Sequence, residues 1–106
     1  MHDVFVLYNH PDDPTAFDAH YVDTHSTLVQ RLPDLIEFVW GKPSSADSPY
    51  YVVARMTYAD EAAAHASFAS DAGTESVSDL ENFAGAGVTV LHVPRAAADR
   101  TPGQTQ

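Results

Sequence analysis

Residues 4–8 (VFVLY), 50–56 (YYVVARM) and 88–93 (VTVLHV) are apolar at odd and even positions alike. Successive side chains of a strand point to opposite faces, so a sheet built from these segments demands cover on both sides. At 106 residues the chain has room for one hydrophobic core, and helices packed on one face leave the other bare. A second copy of the chain, sheet face against sheet face about a twofold axis, is the economical cover. The plainer alternative leaves positions such as Tyr51 and Thr89 exposed, since folded proteins keep much apolar surface outside. A sheet face this apolar would aggregate if left open, which favours a homodimer.

The remaining elements follow from local signals. The first strand, DVFVLY, ends in the turn-forming run NHPDDP, and Asp13 followed by Pro14 reads as an N-cap with proline at the first helical position. The helix that follows carries Phe17, Tyr21, Thr24, Leu28 and Leu32 on one stripe and stops at Pro33. LIEFVWGK (35–42) predicts a second strand, KPSSADSP a loop, and PYYVVARMTY (49–58) a third strand. Asp60 caps the Ala-rich EAAAHASFAS. After DAG, Thr74 is expected to cap a short helix with Val77, Leu80, Phe83 and Ala84 on one face, and Gly85 or Gly87 supplies its stop. With VTVLHV as the last strand the order is βαββαβ, an α+β chain of ferredoxin-like type with helices on one face of an antiparallel sheet. The domain is expected over residues 1–93, and residues 94–106 (PRAAADRTPGQTQ), short of large apolar side chains, as a flexible tail.

Charge and composition exclude several functions. Five Lys and Arg against fifteen Asp and Glu give a formal charge of −10, which repels phosphate backbones and anionic membranes, so no nucleic-acid partner is expected. The absence of cysteine removes disulfides, thiolate nucleophiles and Cys-based metal sites. No run approaches membrane-spanning length and the start MHDVFVLY has no cationic leader, so a cytoplasmic protein without a membrane partner is expected. Glycine-rich phosphate loops, Gly-x-Ser-x-Gly elbows and dinucleotide fingerprints are absent from the sequence, and no nucleotide cofactor is expected.

The segment FDAHYVDTHSTL (17–28) concentrates the residues able to do chemistry. His25 lies one turn beyond Tyr21 at the edge of the apolar stripe, and an imidazole, with an ordinary pKa of about 6.5, takes or gives a proton near neutrality. Its blander reading is a histidine closing the polar edge of the core. Tyr21 is a phenol able to orient a ligand carbonyl, and Thr24 a hydroxyl on the same stripe, though an aromatic there more often packs and a threonine more often bonds its own backbone. Trp40 and Phe83 either wall a cavity or fill the core. His20, five residues from His25, lies off its helix face and is expected to turn away toward solvent or a subunit edge, and the gap of five argues against a helical metal clamp, which uses spacings of three or four. His2, His10, His65 and His92 look dispersed, so no metal site is expected. Asp12, Asp13, Asp60, Glu61, Asp79 and Glu81 are assigned to helix ends and solvated faces.

Together the strand and turn VFVLYNHPDDPTAFDAHY, the segment DTHSTLVQRLPDL with its His25, the strand SPYYVVARMTY and the closing DLENFAGAGVTVL resemble the EthD family of the dimeric α+β barrel superfamily, from Val4 to about Val93. The family commonly has His-x-Pro-Leu in the first helix, often after a second histidine; here Thr27 stands at the proline position and Thr24 at that of the second histidine. The resemblance implies a homodimer with a cavity in each subunit between sheet and helices. It also implies a role in degradative or polyketide-like metabolism, on small hydrophobic or aromatic molecules, by cofactor-free monooxygenases, isomerases, decarboxylases or cyclases. The expectation is a cofactor-independent enzyme with His25 as its acid/base, Tyr21, Thr24, Trp40 and Phe83 around the substrate, and no metal. The alternative is an accessory protein that only binds such a molecule.

Overall fold

The computed structural model describes residues 1–96. Strand β1 (His2–Asn9) is followed by helix α1 (Pro14–His20), a π-helical turn (Tyr21–His25) and helix α2 (Ser26–Val29). Strands β2 (Glu37–Gly41) and β3 (Tyr50–Tyr58), helices α3 (Glu61–Ala69) and α4 (Asp71–Phe83), and strand β4 (Val88–Pro94) complete the order. The four strands form one antiparallel sheet in the order β2-β3-β1-β4, with Val6 opposite both Ala54 and Val90, and Phe38 opposite Met56. This is the expected α+β, ferredoxin-like arrangement.

The pleat divides the apolar strands as the sequence demands. His2, Val4, Val6 and Tyr8 of β1 and Val52, Ala54, Met56 and Tyr58 of β3 are buried toward the helices, where Phe17, Tyr21, Val29 and Leu32 meet them. The Val, Leu, Met and Phe side chains among them each contribute about 1.5–3 kcal/mol by leaving water. The opposite face carries Phe5, Leu7 and Val53 at its centre, and Val39, Leu91 and Val93 beside them remain 44%, 45% and 39% exposed. A single chain covers one face only.

Local capping behaves as the sequence indicates at two helices: Asp13 accepts from the Ala16 N–H with Pro14 in the first turn, and Asp60 accepts from the Ala63 N–H. The long first helix differs in phase. The Ser26 N–H donates to the Tyr21 carbonyl, five residues back, which inserts one extra residue into the turn. The buried stripe therefore runs Phe17, Tyr21, His25, Val29, Leu32, while Thr24 is exposed and Leu28 half-buried. A helix of constant 3.6-residue period would have put Thr24 and Leu28 in those places.

Helix α4 begins earlier than expected. Ser70, rather than Thr74, is its cap, accepting from the Gly73 N–H, and the DAG triplet forms its first turn. Gly73 is there for close packing: a Cβ at that position would lie 2.3 Å from the Phe68 carbonyl oxygen at the end of α3. The buried face of α4 is consequently Gly73, Ser76 and Asp79, with Leu80 and Phe83 half-buried and Val77 exposed. Gly87, at φ +108°, makes the stop before β4. β4 extends through Pro94, and Arg95 beyond it donates to both carboxylate oxygens of Asp3, so the first residues past the expected boundary are part of the fold. The rest of the expected tail, from residue 97, lies outside the described residues. Among the described residues no helix is long and apolar enough to cross a membrane.

Candidate acid/base site

Between the sheet and the helices lies a cavity of about 210 Å³. Val4, Val6, Ala54 and Met56 form its floor, Tyr21, His25 and Val29 one wall, and Phe68 and Leu80 another, with exposed Val77, Val90 and His92 at its mouth. Its lining is almost wholly apolar apart from one group of polar atoms.

The π turn places His25 in that group. Its Nδ1 lies 2.9 Å from Asp79 Oδ2, and its Nε2 lies 3.4 Å from the Tyr8 hydroxyl. A carboxylate only accepts, so Nδ1–H donates to Asp79 and Nε2 presents its lone pair toward the Tyr8 O–H. Asp79 is buried and is held by three donors, as His20 Nε2 lies 2.8 Å and Asn82 Nδ2 2.9 Å from its Oδ1. Burial pushes the Asp79 carboxyl up, but the hydrogen bonds from Asn82, His20 and His25 outweigh it and leave its pKa below the ordinary 3.8. Burial lowers the His25 pKa below 6.5 against the opposing pull of Asp79, so the imidazole is neutral at neutral pH. The result is a desolvated neutral base, fixed in one tautomer by an anion behind it.

Two phenols border the base. Burial raises the pKa of both Tyr8 and Tyr21, which keeps them protonated. Tyr21 Oη is buried with no hydrogen-bond partner among the described residues. A polar atom left in that condition in a cavity wall is available to a ligand.

Of the residues singled out from the sequence, Tyr21 and His25 line the cavity. Thr24 is exposed and takes no part in the lining. Trp40 and Phe83 stand behind the lining: Trp40 packs on Tyr21 with ring centres 4.8 Å apart, and Phe83 on His25 at 4.7 Å. They hold the rings that face the cavity. His20, expected to point away, converges with His25 on one carboxylate and stacks on Phe83. Asp79, expected on a solvated face, is the centre of the cluster. The signal for it was its helical spacing, three residues after Ser76 and four before Phe83 on the face turned inward. The histidines read as dispersed are only partly so, because His2, His65 and His92 meet beside α3. Among the described residues, His2, Glu61 and His92 are the side chains grouped closely enough to hold a metal ion.

The EthD domain model matches residues 9–87. The chain is 42% identical over 94 residues to the uncharacterized 11.0 kDa protein in the thcB-thcC intergenic region of Rhodococcus erythropolis, covering 86% of this chain and 91% of that one. Among solved structures it is similar to an ethyl tert-butyl ether D (EthD) family protein of Bacillus halodurans, at 28% identity and a TM-score of 0.85, over 91% of this chain and 99% of that one. A dimeric ferredoxin-like protein of unknown function from Jannaschia shares the fold at 18% identity and a TM-score of 0.67, over 90% of this chain and all of that one (100%). The matched residues take in β2, β3, the helices and the segment that carries His25, and the chain belongs to the EthD domain family.

Proposed function

We propose that the protein binds a small, largely apolar carbonyl compound in the cavity and that His25 moves a proton on it as a general acid/base. The observation that carries this reading is the His25–Asp79 pair, with Nδ1 committed to the carboxylate and Nε2 turned to the Tyr8 hydroxyl at the wall of an otherwise apolar cavity, in a long 3.4 Å contact that a ligand can replace. The cavity is smaller than the roughly 300–1,000 Å³ usual for drug-sized ligands, which suits a molecule of about one aromatic ring. In the step envisaged, Nε2 takes the proton from the carbon next to the ligand's carbonyl, and the electron pair of that C–H bond becomes the enolate. Asp79 offsets the charge gained by the imidazole, and the Tyr21 or Tyr8 phenol donates to the oxygen on which negative charge develops. Isomerisation, cyclisation, decarboxylation and cofactor-free oxygenation of such compounds share a carbanion or enolate of this kind.

A homodimer belongs to the same proposal. The bare apolar face of Phe5, Leu7, Val53, Leu91 and Val93 supports it, as does the dimeric state of the Jannaschia neighbour. The test is a screen of aryl ketones and aromatic β-dicarbonyl compounds by thermal shift, followed by turnover of those that bind. Loss of turnover in His25→Ala with binding retained is the expected result. Binding without any turnover in the wild type would leave the accessory-protein reading in its place.

A further inference from the structure

The cavity's mouth lies close to a second polar cluster that the acid/base chemistry does not use. His2 and His92 sit on neighbouring strands, on the face turned to the helices, and α3 brings Glu61 and His65 over them one turn apart. His2 Nε2 is 2.9 Å from His92 Nδ1, Glu61 Oε2 is 3.2 Å from His65 Nε2, and the His65 and His92 ring centres are 5.2 Å apart. Donor atoms of His2, Glu61 and His92 all lie within 4.8 Å of one another.

We propose that His2, His92 and Glu61, with His65 in reach as a fourth donor, form a binding site for a divalent transition-metal ion of the zinc type. Two or three imidazoles with one carboxylate are the donor set such ions prefer, whereas calcium and magnesium call for oxygen ligands throughout. In zinc sites two nitrogens about 2.0–2.1 Å from the metal stand about 3.3 Å apart, so the His2–His92 pair has only a few tenths of an ångström to open. In the absence of metal one of those two nitrogens donates to the other, and a cation bound between them requires that proton to move to the far nitrogen of the same ring, leaving both rings neutral.

The plainer account is an imidazole pair beside a surface Glu–His helix pair. It leaves one thing unexplained. His2 is 1% exposed, yet its Nε2 is turned not into the apolar core but toward the exposed His92. A histidine placed so deep, with another imidazole as its one hydrogen-bond partner among the described residues, is poorly served as core. His92 belongs both to this cluster and to the cavity mouth, so the ion would stand at the entrance to the ligand space. The site stands or falls independently of the role proposed for His25.

The test uses the full chain without a purification tag. Calorimetric titration with zinc is expected to show saturable binding of one ion per chain, and His92→Ala and Glu61→Gln are each expected to weaken it at least tenfold. Both residues are exposed, so both variants should fold, which circular dichroism checks. In the wild type, paramagnetic cobalt should broaden the imidazole signals of His2 and His92 first. His10, eight residues along the chain and about 26 Å away at strand rise, should be the last affected. Absence of saturable zinc binding would overturn the proposal. So would binding that both variants retain unchanged, or cobalt broadening that spares His2 and His92.

Discussion

His25 Nδ1 and Asp79 Oδ2 lie 2.9 Å apart although 54 residues separate them and they belong to different helical segments. The contact exists because one extra residue in the π turn rotates His25 onto the buried stripe of the first helix while α4 lays Asp79 across from it. A carboxylate so placed selects the Nδ1–H tautomer and stabilises the imidazolium that forms in proton transfer.

Asp79→Asn is therefore expected to act through His25. The amide can donate to Nδ1 and so permits the other tautomer, with its lone pair turned away from the cavity. Turnover should fall by on the order of a thousand- to ten-thousandfold, as when the carboxylate that fixes the tautomer of a histidine base is replaced by its amide. Nitrogen-15 NMR should record the tautomer change, which a purely structural role for Asp79 would leave unmoved. His20→Ala should cost less, because Asn82 and His25 still hold the carboxylate.

The pH dependence has a defined sign. His25 is lowered below 6.5, so from 6.5 downward the unfolded chain takes up its proton before the folded one and stability is lost as acid is added. Asp3 is lowered to about 2 by its bonds to Arg95 and Thr57, and adds a second loss between 3.8 and about 2. Thermal melts should give a midpoint that is flat between 6.5 and about 9, falls in these two acid windows, and falls again above 10, where the unfolded chain loses the protons that the buried Tyr8 and Tyr21 keep. In Asp3→Asn the lower window should be smaller, and stability at neutral pH lower by on the order of 1–2 kcal/mol.

Gly73→Ala should destabilise the fold by about 1–3 kcal/mol or more, since the added methyl meets the Phe68 backbone at 2.3 Å and only a shift of α4 against α3 relieves it. Chemical denaturation measures this. An unchanged midpoint would mean that the two helices are less tightly joined than the structure describes.

The bare sheet face predicts a dimer, with a mass by light scattering near twice 11.5 kDa. Leu91→Glu, which places a charge on that face, should shift the protein toward monomer without altering the cavity lining. A clean monomer for the wild type at micromolar concentration would sink the sheet-to-sheet argument.

What the sequence disclosed was local or periodic. The doubly apolar strands, the Asp13–Pro14 and Asp60 caps and the α+β order are written in neighbouring residues, and so is the place of Tyr21 on the buried stripe, with His25 read only at its edge. The π turn was invisible because a 3.6-residue period carries no mark for an inserted residue, and that single residue exchanged Thr24 and Leu28 for His25 and Val29. The cap at Ser70 rather than Thr74 depends on Gly73, whose lack of a side chain lets the first turn of α4 approach α3, a contact between helices that the local sequence does not display. Asp79 resembled any other helix-surface acid, and the meeting of His2 with His92 spans 90 residues. Contacts of that kind depend on the folded sheet.

The measurement that bears most directly on the central claim is hydrogen exchange on a bound carbonyl compound in heavy water. With a ligand from the screen, NMR follows replacement by deuterium of the hydrogen next to the carbonyl, in the wild type and in His25→Ala, with exposed Thr24→Ala as a control. The rate in the wild type should rise with pH through a transition below 6.5, where burial has moved the His25 imidazole. His25→Ala should lower it by about a hundred- to ten-thousand-fold, and Thr24→Ala should leave it unchanged. Equal rates in the wild type and His25→Ala, with ligand bound by both, would contradict the account.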